Sequence, residues 1–361
     1  MSSPGRSSES RQIPPSIRYH NLVSDAPPKR PSQFLLSLPK AELHLHLEGS
    51  IEPQTLLELK RHHGISSSLK DVEALYTYTD FTGFLMAFKA VTEDLRTAED
   101  YELITYELMR RLKEENVLHA EVYVSVGVCL WRKQEFDAIF EGLDRGRARG
   151  EKDFGVSLLW IFDAVRQFGA DAAKRVFELA VRYGDRHVVG IGIGGDELKA
   201  PPELFREAFA YAESNGLRLT AHAGETAGPD SVWGALNLHA ERIGHGLTAI
   251  QDAELVEELA QRQIPIEICI TSNLRTGACK SLAEHPVREY FDHGVMVNLN
   301  SDDPTMFGTS LLNEYQIAQD NFGFTDEHLR EIARNSFEAS FLPPEKKLQF
   351  LNLLDASPVA R

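Results

Sequence analysis

Cysteine is scarce in this sequence. Only three of the 361 residues are cysteines, namely Cys129, Cys269 and Cys279, and no two of them form a C-x-x-C pair. Three thiols cannot build a disulfide framework for a chain of this length. We therefore expect a protein of a reducing compartment, for which the cytoplasm is the simplest assignment.

The sequence also lacks a surplus of basic residues and lacks long apolar runs. The net charge is −16 and the pI is about 5.3, which disfavours nucleic acid or an anionic membrane as the main partner. No run of about 18 apolar residues occurs, so the sequence predicts no membrane span. With 42% hydrophobic and 25% charged residues, the composition is that of a soluble globular protein.

The first part of the chain differs in composition from the rest. Residues 1–34 are rich in serine, proline and arginine and hold no apolar stretch like the core of a signal peptide. Their prolines interrupt any helical pattern. We predict a flexible N-terminal tail over 1–34 and a single domain over 35–361.

Short apolar runs alternate with helical patterns from about residue 40 onward. Eight strands separated by helices predict parallel βα units, and this number suits an α/β protein with one (β/α)8 TIM barrel. A doubly wound parallel sheet is the alternative. The candidate strands span residues 41–47, 119–126, 155–161, 187–193, 217–223, 241–245, 264–270 and 295–301.

The pattern inside the strands favours the barrel. Glu42, His44 and His46 alternate with apolar residues in the first strand, and Glu267 and Cys269 alternate with isoleucines in the seventh. Strands buried on both faces of an open sheet are nearly continuous apolar runs. Polar residues on one face instead fit a barrel interior whose upper layer is an active site.

Two histidines in the first strand are candidate metal ligands. His44 and His46 lie two positions apart, so a β-strand sends both side chains to the same face. Such a pair can be purely structural, but two neutral imidazoles also form half of a zinc site. His222 and Asp302, at the ends of the fifth and eighth strands, would complete it and leave room for a water of lowered pKa. We predict one Zn²⁺ per chain.

Two further strand ends carry candidate acid–base residues. His245 ends the sixth strand, where it can accept or orient the proton of that water, although a plain turn histidine is the alternative. Glu225 follows His222 by three positions and can donate a proton to substrate. The remaining histidines are assigned to surface or packing positions: 20, 62, 63, 119, 187, 239, 285, 293 and 328.

Two other motifs are set aside. Residues 190–195 match G-x-G-x-x-G, but Asp196 and Glu197 follow at once and would repel a pyrophosphate. Residues 46–48 match the H-x-E of cytidine-type zinc deaminases, whose P-C-x-x-C is missing here. Neither a dinucleotide site nor that deaminase fold is expected.

Six motifs follow one another in order and lie at predicted strand ends. In combination they resemble the adenosine deaminase family of the amidohydrolase superfamily, over about residues 36–345. The motifs are LPKAELHLHLEGS (38–50), GGDE (194–197), HAGE (222–225), RIGHG (242–246), TSN (271–273) and NSDDP (300–304).

The resemblance implies a role for each residue. The four candidate ligands match the family's zinc ligands, Glu225 matches the acid that protonates purine N1, and His245 matches the residue that orients and deprotonates the attacking water. Asp303 matches the carboxyl hydrogen-bonded to purine N7, and Gly195 the backbone N–H facing N3. The implied reaction is hydrolytic deamination of a purine nucleoside at C6, adenosine giving inosine and ammonia.

Departures from the family pattern leave the substrate open. Glu48 stands where many family members have an aspartate that contacts the ribose 5′-hydroxyl. Residues 228–236 and 302–315 resemble a sub-branch acting on 6-aminodeoxyfutalosine, an adenine nucleoside with a bulky 5′ extension, and this is the main alternative. Free adenine is less favoured. A non-catalytic nucleoside-binding relative is expected to lack a ligand or the acid, and none is missing.

An aromatic segment is a candidate substrate wall. Residues 78–91 include Phe84 and Phe88, which we predict to form an apolar wall or lid over the substrate. An ordinary core helix is the equally weighted alternative.

Overall fold

The computed structural model describes residues 30–79 and 81–357. Eight strands hydrogen-bond in parallel in the order β1 to β8, each strand beside the next one in sequence. The strands are β1 (Lys40–His46), β2 (Val117–Val124), β3 (Ser157–Val165), β4 (Val188–Gly194), β5 (Arg218–Ala223), β6 (Arg242–His245), β7 (Ile266–Ile268) and β8 (Val297–Leu299).

The ring of strands is joined between the end of β8 and β1. The His46 N–H donates to the Asp302 carbonyl at 2.8 Å, and the Asp302 N–H donates to the His44 carbonyl at 3.0 Å. All eight predicted strands are present within a few residues of their predicted bounds, and the (β/α)8 barrel prediction is confirmed. The doubly wound alternative is wrong because the first and last strands meet.

Seventeen α-helices occur in the described part of the chain, and most of them connect consecutive strands. They are α1 (Gln33–Ser37), α2 (Pro53–His62), α3 (Leu69–Ala74), α4 (Phe81–Thr92), α5 (Ala98–Glu114), α6 (Val126–Trp131), α7 (Phe136–Phe154), α8 (Ala170–Arg182), α9 (Arg206–Ser214), α10 (Pro229–Asn237), α11 (Ala253–Arg262), α12 (Ile270–Arg275), α13 (Val287–Asp292), α14 (Pro304–Phe307), α15 (Leu311–Phe322), α16 (Asp326–Ala339) and α17 (Pro344–Ala356).

The strands divide their side chains between two environments. In β1, Leu43 and Leu45 are fully buried in the apolar core, whereas the alternating polar residues face the barrel interior, where His44 contacts Glu267 of β7. This two-residue period follows from the pleat of the strand. The interior of the barrel therefore carries charge and hydrogen-bonding groups, as the sequence pattern predicted.

The chain segment before β1 is anchored to the barrel. Phe34 and Leu35 of α1 are buried, and the Lys40 ammonium group donates at 2.9 Å to the carbonyls of Leu35, Leu38 and Glu115. The last residues of the predicted tail thus belong to α1. The tail prediction for residues 1–29 lies outside the described residues. Among the helices of residues 30–79 and 81–357, none is long and apolar enough to cross a membrane.

Candidate active site

Polar side chains from four strand ends meet at one end of the barrel. Nitrogen or carboxylate oxygen atoms of His44, His222, His245 and Asp302 all lie within 4.8 Å of one another. The Nε2 atom of His46 lies 3.2 Å from His222 Nε2 and 3.3 Å from Asp302 Oδ1. The structure therefore brings the four predicted ligands together, with His245 beside them.

The backbone around this cluster is strained. His245 and Asp302 both adopt left-handed conformations, each with φ of 65°, which costs energy for a residue with a side chain. Gly244 leaves room for a neighbour, because a Cβ atom there would lie 2.7 Å from His44 Cε1. Strained backbone that the surrounding fold maintains is typical of active sites.

The environment of His44 suits a metal ion. Its Nδ1 lies 2.8 Å from Glu267 Oε2, and Glu267 Oε1 lies 2.6 Å from Arg242 Nε. A carboxylate that accepts a hydrogen bond from Nδ1–H keeps a proton on that nitrogen. Nε2 is then the nitrogen whose lone pair a cation can bind. This buried Nε2 atom lacks a hydrogen-bond partner among the described residues and lies 3.5 Å from Asp302 Oδ1. Three imidazoles and one carboxylate form a donor set that suits zinc.

The pKa values of His46 and His222 also suit a metal site. Burial lowers the pKa of His46 to about 4 and that of His222 well below its ordinary value, so both rings are neutral, as metal ligands must be. Burial also acts to lower the pKa of His44, but Asp302 and Glu267 outweigh it and raise this pKa to about 10. A cation bound at Nε2 would displace the second ring proton, which this raised pKa assigns to His44 when no cation is bound.

The HAGE loop after β5 is held by Glu197. Its carboxylate accepts the backbone N–H groups of Gly224, Glu225 and Thr226 at 2.7, 3.0 and 2.9 Å, and the Ser231 hydroxyl at 2.5 Å. From the sequence, Glu197 was expected only to repel a pyrophosphate. Its place in the GGDE motif was the available signal for a further role, which is to hold the Glu225 backbone.

The Glu225 carboxyl faces the cluster. Its side chain is 20% exposed, and its Oε2 lies 3.7 Å from His245 Nε2. Burial raises the pKa of Glu225, and the charge on Asp302 adds to this increase, whereas His245 opposes it. A carboxyl with a raised pKa that remains accessible is suited to act as a general acid.

Asp303 is a second carboxyl of this kind. Burial raises its pKa well above the ordinary value, and the adjacent Asp302 charge raises it further. Gly49 is required beside it, because a Cβ atom there would lie 1.8 Å from Asp303 Oδ1.

Gly195 follows β4 with φ of 104°, and a Cβ atom there would lie 2.2 Å from Gln167 Oε1. The purine contacts of Asp303 and Gly195 stay predictions.

Glu48 ties the end of β1 to the end of β2. Its Oε1 accepts the Ser125 N–H at 3.0 Å and its Oε2 accepts the Ser125 hydroxyl at 3.2 Å. The residue is 3% exposed, and burial raises its pKa. A ribose contact by Glu48 stays a prediction, and each of its two oxygens already accepts one hydrogen bond from Ser125.

The aromatic side chains of α4 cover the segment after β8. Phe84 stacks on Phe307 with a centroid distance of 4.9 Å and an interplanar angle of 25°, and it lies 5.9 Å from Phe88. The Tyr78 hydroxyl donates to the Met306 carbonyl. Phe84 and Phe88 are both half-buried. This segment begins directly after Asp303, so α4 packs beside the site, and its contact with substrate stays a prediction.

Several residues of the site were not assigned from the sequence. Glu267 had the signal of polar alternation in β7, and Ser272 and Asn273 had that of the TSN motif. The Ser272 hydroxyl donates to Asp302 Oδ2 at 2.6 Å, and Asn273 Nδ2 lies 3.0 Å from His245 Nδ1. Arg166 had no signal, and its guanidinium donates to the His222 carbonyl at 2.8 Å.

A barrel with such a cluster at the carboxyl ends of its strands is typical of metal-dependent hydrolases. The family model described as adenosine deaminase matches residues 39–357. The chain belongs to the adenosine deaminase family, within the amidohydrolase superfamily, and it is an enzyme of the deaminase type that hydrolyses C–N bonds.

Known proteins of this family resemble the chain over nearly its whole length. It is 41% identical over 333 residues to an aminodeoxyfutalosine deaminase of Streptomyces avermitilis, covering 91% of this chain and 93% of the relative. The structure of an adenine deaminase from Arthrobacter aurescens matches with a TM-score of 0.83 and 31% identity, covering 88% of this chain and 98% of the other. An amidohydrolase from Burkholderia ambifaria, solved with bound zinc, matches with a TM-score of 0.79 and 27% identity, covering 89% and 93%.

Proposed function

We propose that the protein hydrolytically deaminates the adenine ring of a nucleoside at C6 and releases ammonia. The observation that carries this proposal is the presence of two features close together at one end of the barrel. One is a cluster of three histidines and an aspartate suited to a metal. The other is the Glu225 carboxyl, which has a raised pKa and lies 3.7 Å from His245. Purine deamination needs an activated oxygen nucleophile and a proton donor to a ring nitrogen, and these features can supply them.

One zinc ion per chain is the proposed cofactor, with His44, His46, His222 and Asp302 as its ligands. Zinc is a Lewis acid that lowers the pKa of water toward 7. The neutral rings of His46 and His222 support this ligand set. Glu267 also supports it, because it faces His44 Nδ1 and so leaves Nε2 as the nitrogen that can bind a cation. The zinc bound in the Burkholderia ambifaria neighbour supports the identity of the metal.

The proposed roles of Glu225 and Asp303 as proton donors follow from their raised pKa values. Glu225 gives its proton to purine N1, which draws electrons from C6 and makes that carbon more electrophilic. Asp303 donates to N7, which has a lone pair and no proton, so only the protonated carboxyl can form this bond. Both assignments require carboxyls of raised pKa, as found for Glu225 and Asp303.

For the substrate we favour an adenine nucleoside with a 5′ extension, such as aminodeoxyfutalosine, over adenosine, which the sequence placed first. The Streptomyces avermitilis relative acts on aminodeoxyfutalosine and is 41% identical. Adenine is the second candidate, since the Arthrobacter aurescens neighbour is an adenine deaminase.

Turnover of three compounds tests the proposal. The purified protein is assayed by ultraviolet absorbance against aminodeoxyfutalosine, adenosine and adenine, and kcat/KM is compared. We expect kcat/KM to be at least about tenfold higher for aminodeoxyfutalosine, which corresponds to roughly 1.4 kcal/mol of transition-state binding. Highest activity on adenine would instead indicate a pocket closed on the sugar side. No turnover of any of them by the zinc-loaded protein would contradict the proposed function.

A further inference from the structure

A chain of hydrogen bonds extends from His245 away from the metal cluster. Asn273, in α12, lies between two histidines, with its Nδ2 3.0 Å from His245 Nδ1 and its Oδ1 3.1 Å from His285 Nε2. Both histidines and Asn273 are buried. The direction of these two hydrogen bonds decides which nitrogen of His245 carries the ring proton.

A backbone amide at the other end of this series of hydrogen bonds sets the direction of each bond. Val287 is the first residue of α13, and its N–H has no acceptor within the helix. It donates instead to His285 Nδ1 at 3.3 Å. A backbone N–H can only donate, so His285 Nδ1 holds a lone pair. Burial lowers the pKa of His285 to about 3, and the neutral ring therefore carries its proton on Nε2.

This polarity passes through Asn273 to His245. The His285 Nε2–H donates to the Asn273 side-chain oxygen, which turns the amide nitrogen toward His245. The amide nitrogen donates to His245 Nδ1, which must then hold a lone pair. The proton of the His245 ring accordingly lies on Nε2, the nitrogen that is 3.7 Å from Glu225.

We propose that Asn273 and His285 are positioning residues that fix His245 as the Nε2–H tautomer. Resting on the proposed function, this assigns His245 as a hydrogen-bond donor to the oxygen that attacks C6. His245 is then not the base that takes the proton of that oxygen, because its Nε2 already carries one. It is also not a metal ligand, because a ligating nitrogen needs a free lone pair.

His44 shows the opposite arrangement in the same cluster. Its Nδ1 faces the Glu267 carboxylate at 2.8 Å. This carboxylate accepts a hydrogen bond from His44 Nδ1, whereas the Asn273 amide donates one to His245 Nδ1. Nε2, toward Asp302, is therefore the His44 nitrogen that can lose its proton and bind a cation, whereas His245 presents an N–H. The five side chains of the cluster all lie close together, so their distances do not show which of them bind a metal. The difference in hydrogen bonding identifies His44 as a ligand and His245 as a non-ligand.

Nitrogen-15 NMR of the full-length protein labelled in its histidine rings tests the tautomer directly, in metal-free and zinc-loaded samples. Long-range proton–nitrogen correlations distinguish an N–H nitrogen from one with a lone pair, and the His245 signals are assigned from the spectrum of His245→Gln. We expect the Nε2–H pattern for His245 and for His285 in both samples. An Nδ1–H pattern for either ring, or metal ligation by His245, would overturn the proposal, and this spectrum decides even if the variant below does not fold.

Asn273→Asp reverses the last hydrogen bond while keeping the side-chain shape. A carboxylate accepts from His245 Nδ1, so we expect the ring to switch to the Nδ1–H tautomer. We also expect kcat to fall by about 10²-fold, the loss typical of removing one oriented donor, with KM changed little and zinc retained. An unchanged kcat in a folded, tautomer-switched Asn273→Asp would show that the donor is not needed. His293→Gln, an exposed change after α13, is the control and should change neither tautomer nor kcat.

The two proposals fail separately. If no adenine compound is turned over while His245 shows the Nε2–H pattern, the proposed reaction is contradicted and the tautomer stands. If turnover is normal and the pattern is Nδ1–H, the proposed function stands and the role of Asn273 and His285 is wrong.

Discussion

At the scale of single residues, the site depends on carboxyls that differ in protonation although all are buried. Burial acts to raise the pKa of Glu267, but Arg242 and His44 together outweigh it and lower this pKa. Burial likewise opposes the ionised form of Asp302, yet the neighbouring histidines hold its pKa well below the ordinary value. For Glu225 and Asp303, burial and the charge on Asp302 outweigh the nearby histidines, and both pKa values are raised. One end of the barrel thus carries both anions and proton donors.

The role of Glu225 is tested by Glu225→Gln. The amide keeps the size of the side chain but has no acidic proton, so we expect kcat to fall by ~10²–10⁴-fold. Zinc content and melting temperature should stay close to those of the unmodified protein, because Glu225 is not among the proposed ligands. Near-normal kcat in this variant would remove Glu225 from the mechanism.

The space beside Asp303 is tested by Gly49→Ala. The added methyl group would lie 1.8 Å from Asp303 Oδ1, so the carboxyl must move away from its position. We expect kcat/KM to fall by about tenfold, the size of one lost hydrogen bond to the purine, with zinc retained. Gly184→Ala is the control, since a Cβ atom there would have its nearest neighbour at 3.4 Å, and it should leave kcat/KM unchanged. Equal kcat/KM for the two variants would show that Asp303 does not contact substrate.

At the scale of elements, the site is assembled by short segments that begin where strands end. The loop held by Glu197 follows β5 and carries Glu225, and α14 directly follows Asp303. α4 then packs on α14 through Phe84 and Phe307. Strand ends fix the backbone, and these segments carry the groups that we propose to face the substrate.

The contribution of α4 is tested by Phe84→Ala. If the helix forms a wall of the substrate pocket, we expect KM to rise about tenfold, which corresponds to roughly 1.4 kcal/mol of lost binding. Leu85→Ala is the matched control, because Leu85 is the next residue of α4 and is 50% exposed, and it should change KM little. An unchanged KM with a loss of about 3–5 kcal/mol in unfolding free energy would assign Phe84 to the core.

At the scale of the whole molecule, closure of the barrel and assembly of the site depend on the same residue. The backbone of Asp302 pairs with His44 and His46 to join the end of β8 to β1. Its side chain lies 3.5 and 3.3 Å from the Nε2 atoms of these two histidines. Ligands from three strand ends would therefore connect the first strand to the fifth and the last.

Metal removal tests this connection. We expect about one equivalent of zinc per chain, and chelation should abolish turnover while leaving the circular dichroism spectrum largely unchanged. The melting temperature should fall, since ligand at a hundred times its Kd adds about 2.7 kcal/mol to stability. Zinc added back should restore both properties. Two equivalents of metal, or full activity of the metal-free protein, would contradict the assignment.

Much of the fold and part of the site follow from the sequence alone. The alternation of polar and apolar residues in β1 determines that His44 and His46 share a face, because the strand has a period of two. The repeated βα pattern determines the barrel class, and the parallel strands bring their carboxyl ends to one end of it. These features depend on residues that are close in the sequence, so the periodicity of the sequence is enough to predict them.

The partners of each side chain were decided only by the tertiary structure. Glu267 is 223 positions from His44, and Glu48 meets Ser125 across 77 positions. Periodicity gives the direction of a side chain but not its distance from groups on other strands, which depends on strand register and barrel closure. His285 was assigned to packing for this reason. Only the folded chain shows that the Val287 amide, through His285 and Asn273, sets the hydrogen-bond polarity at His245.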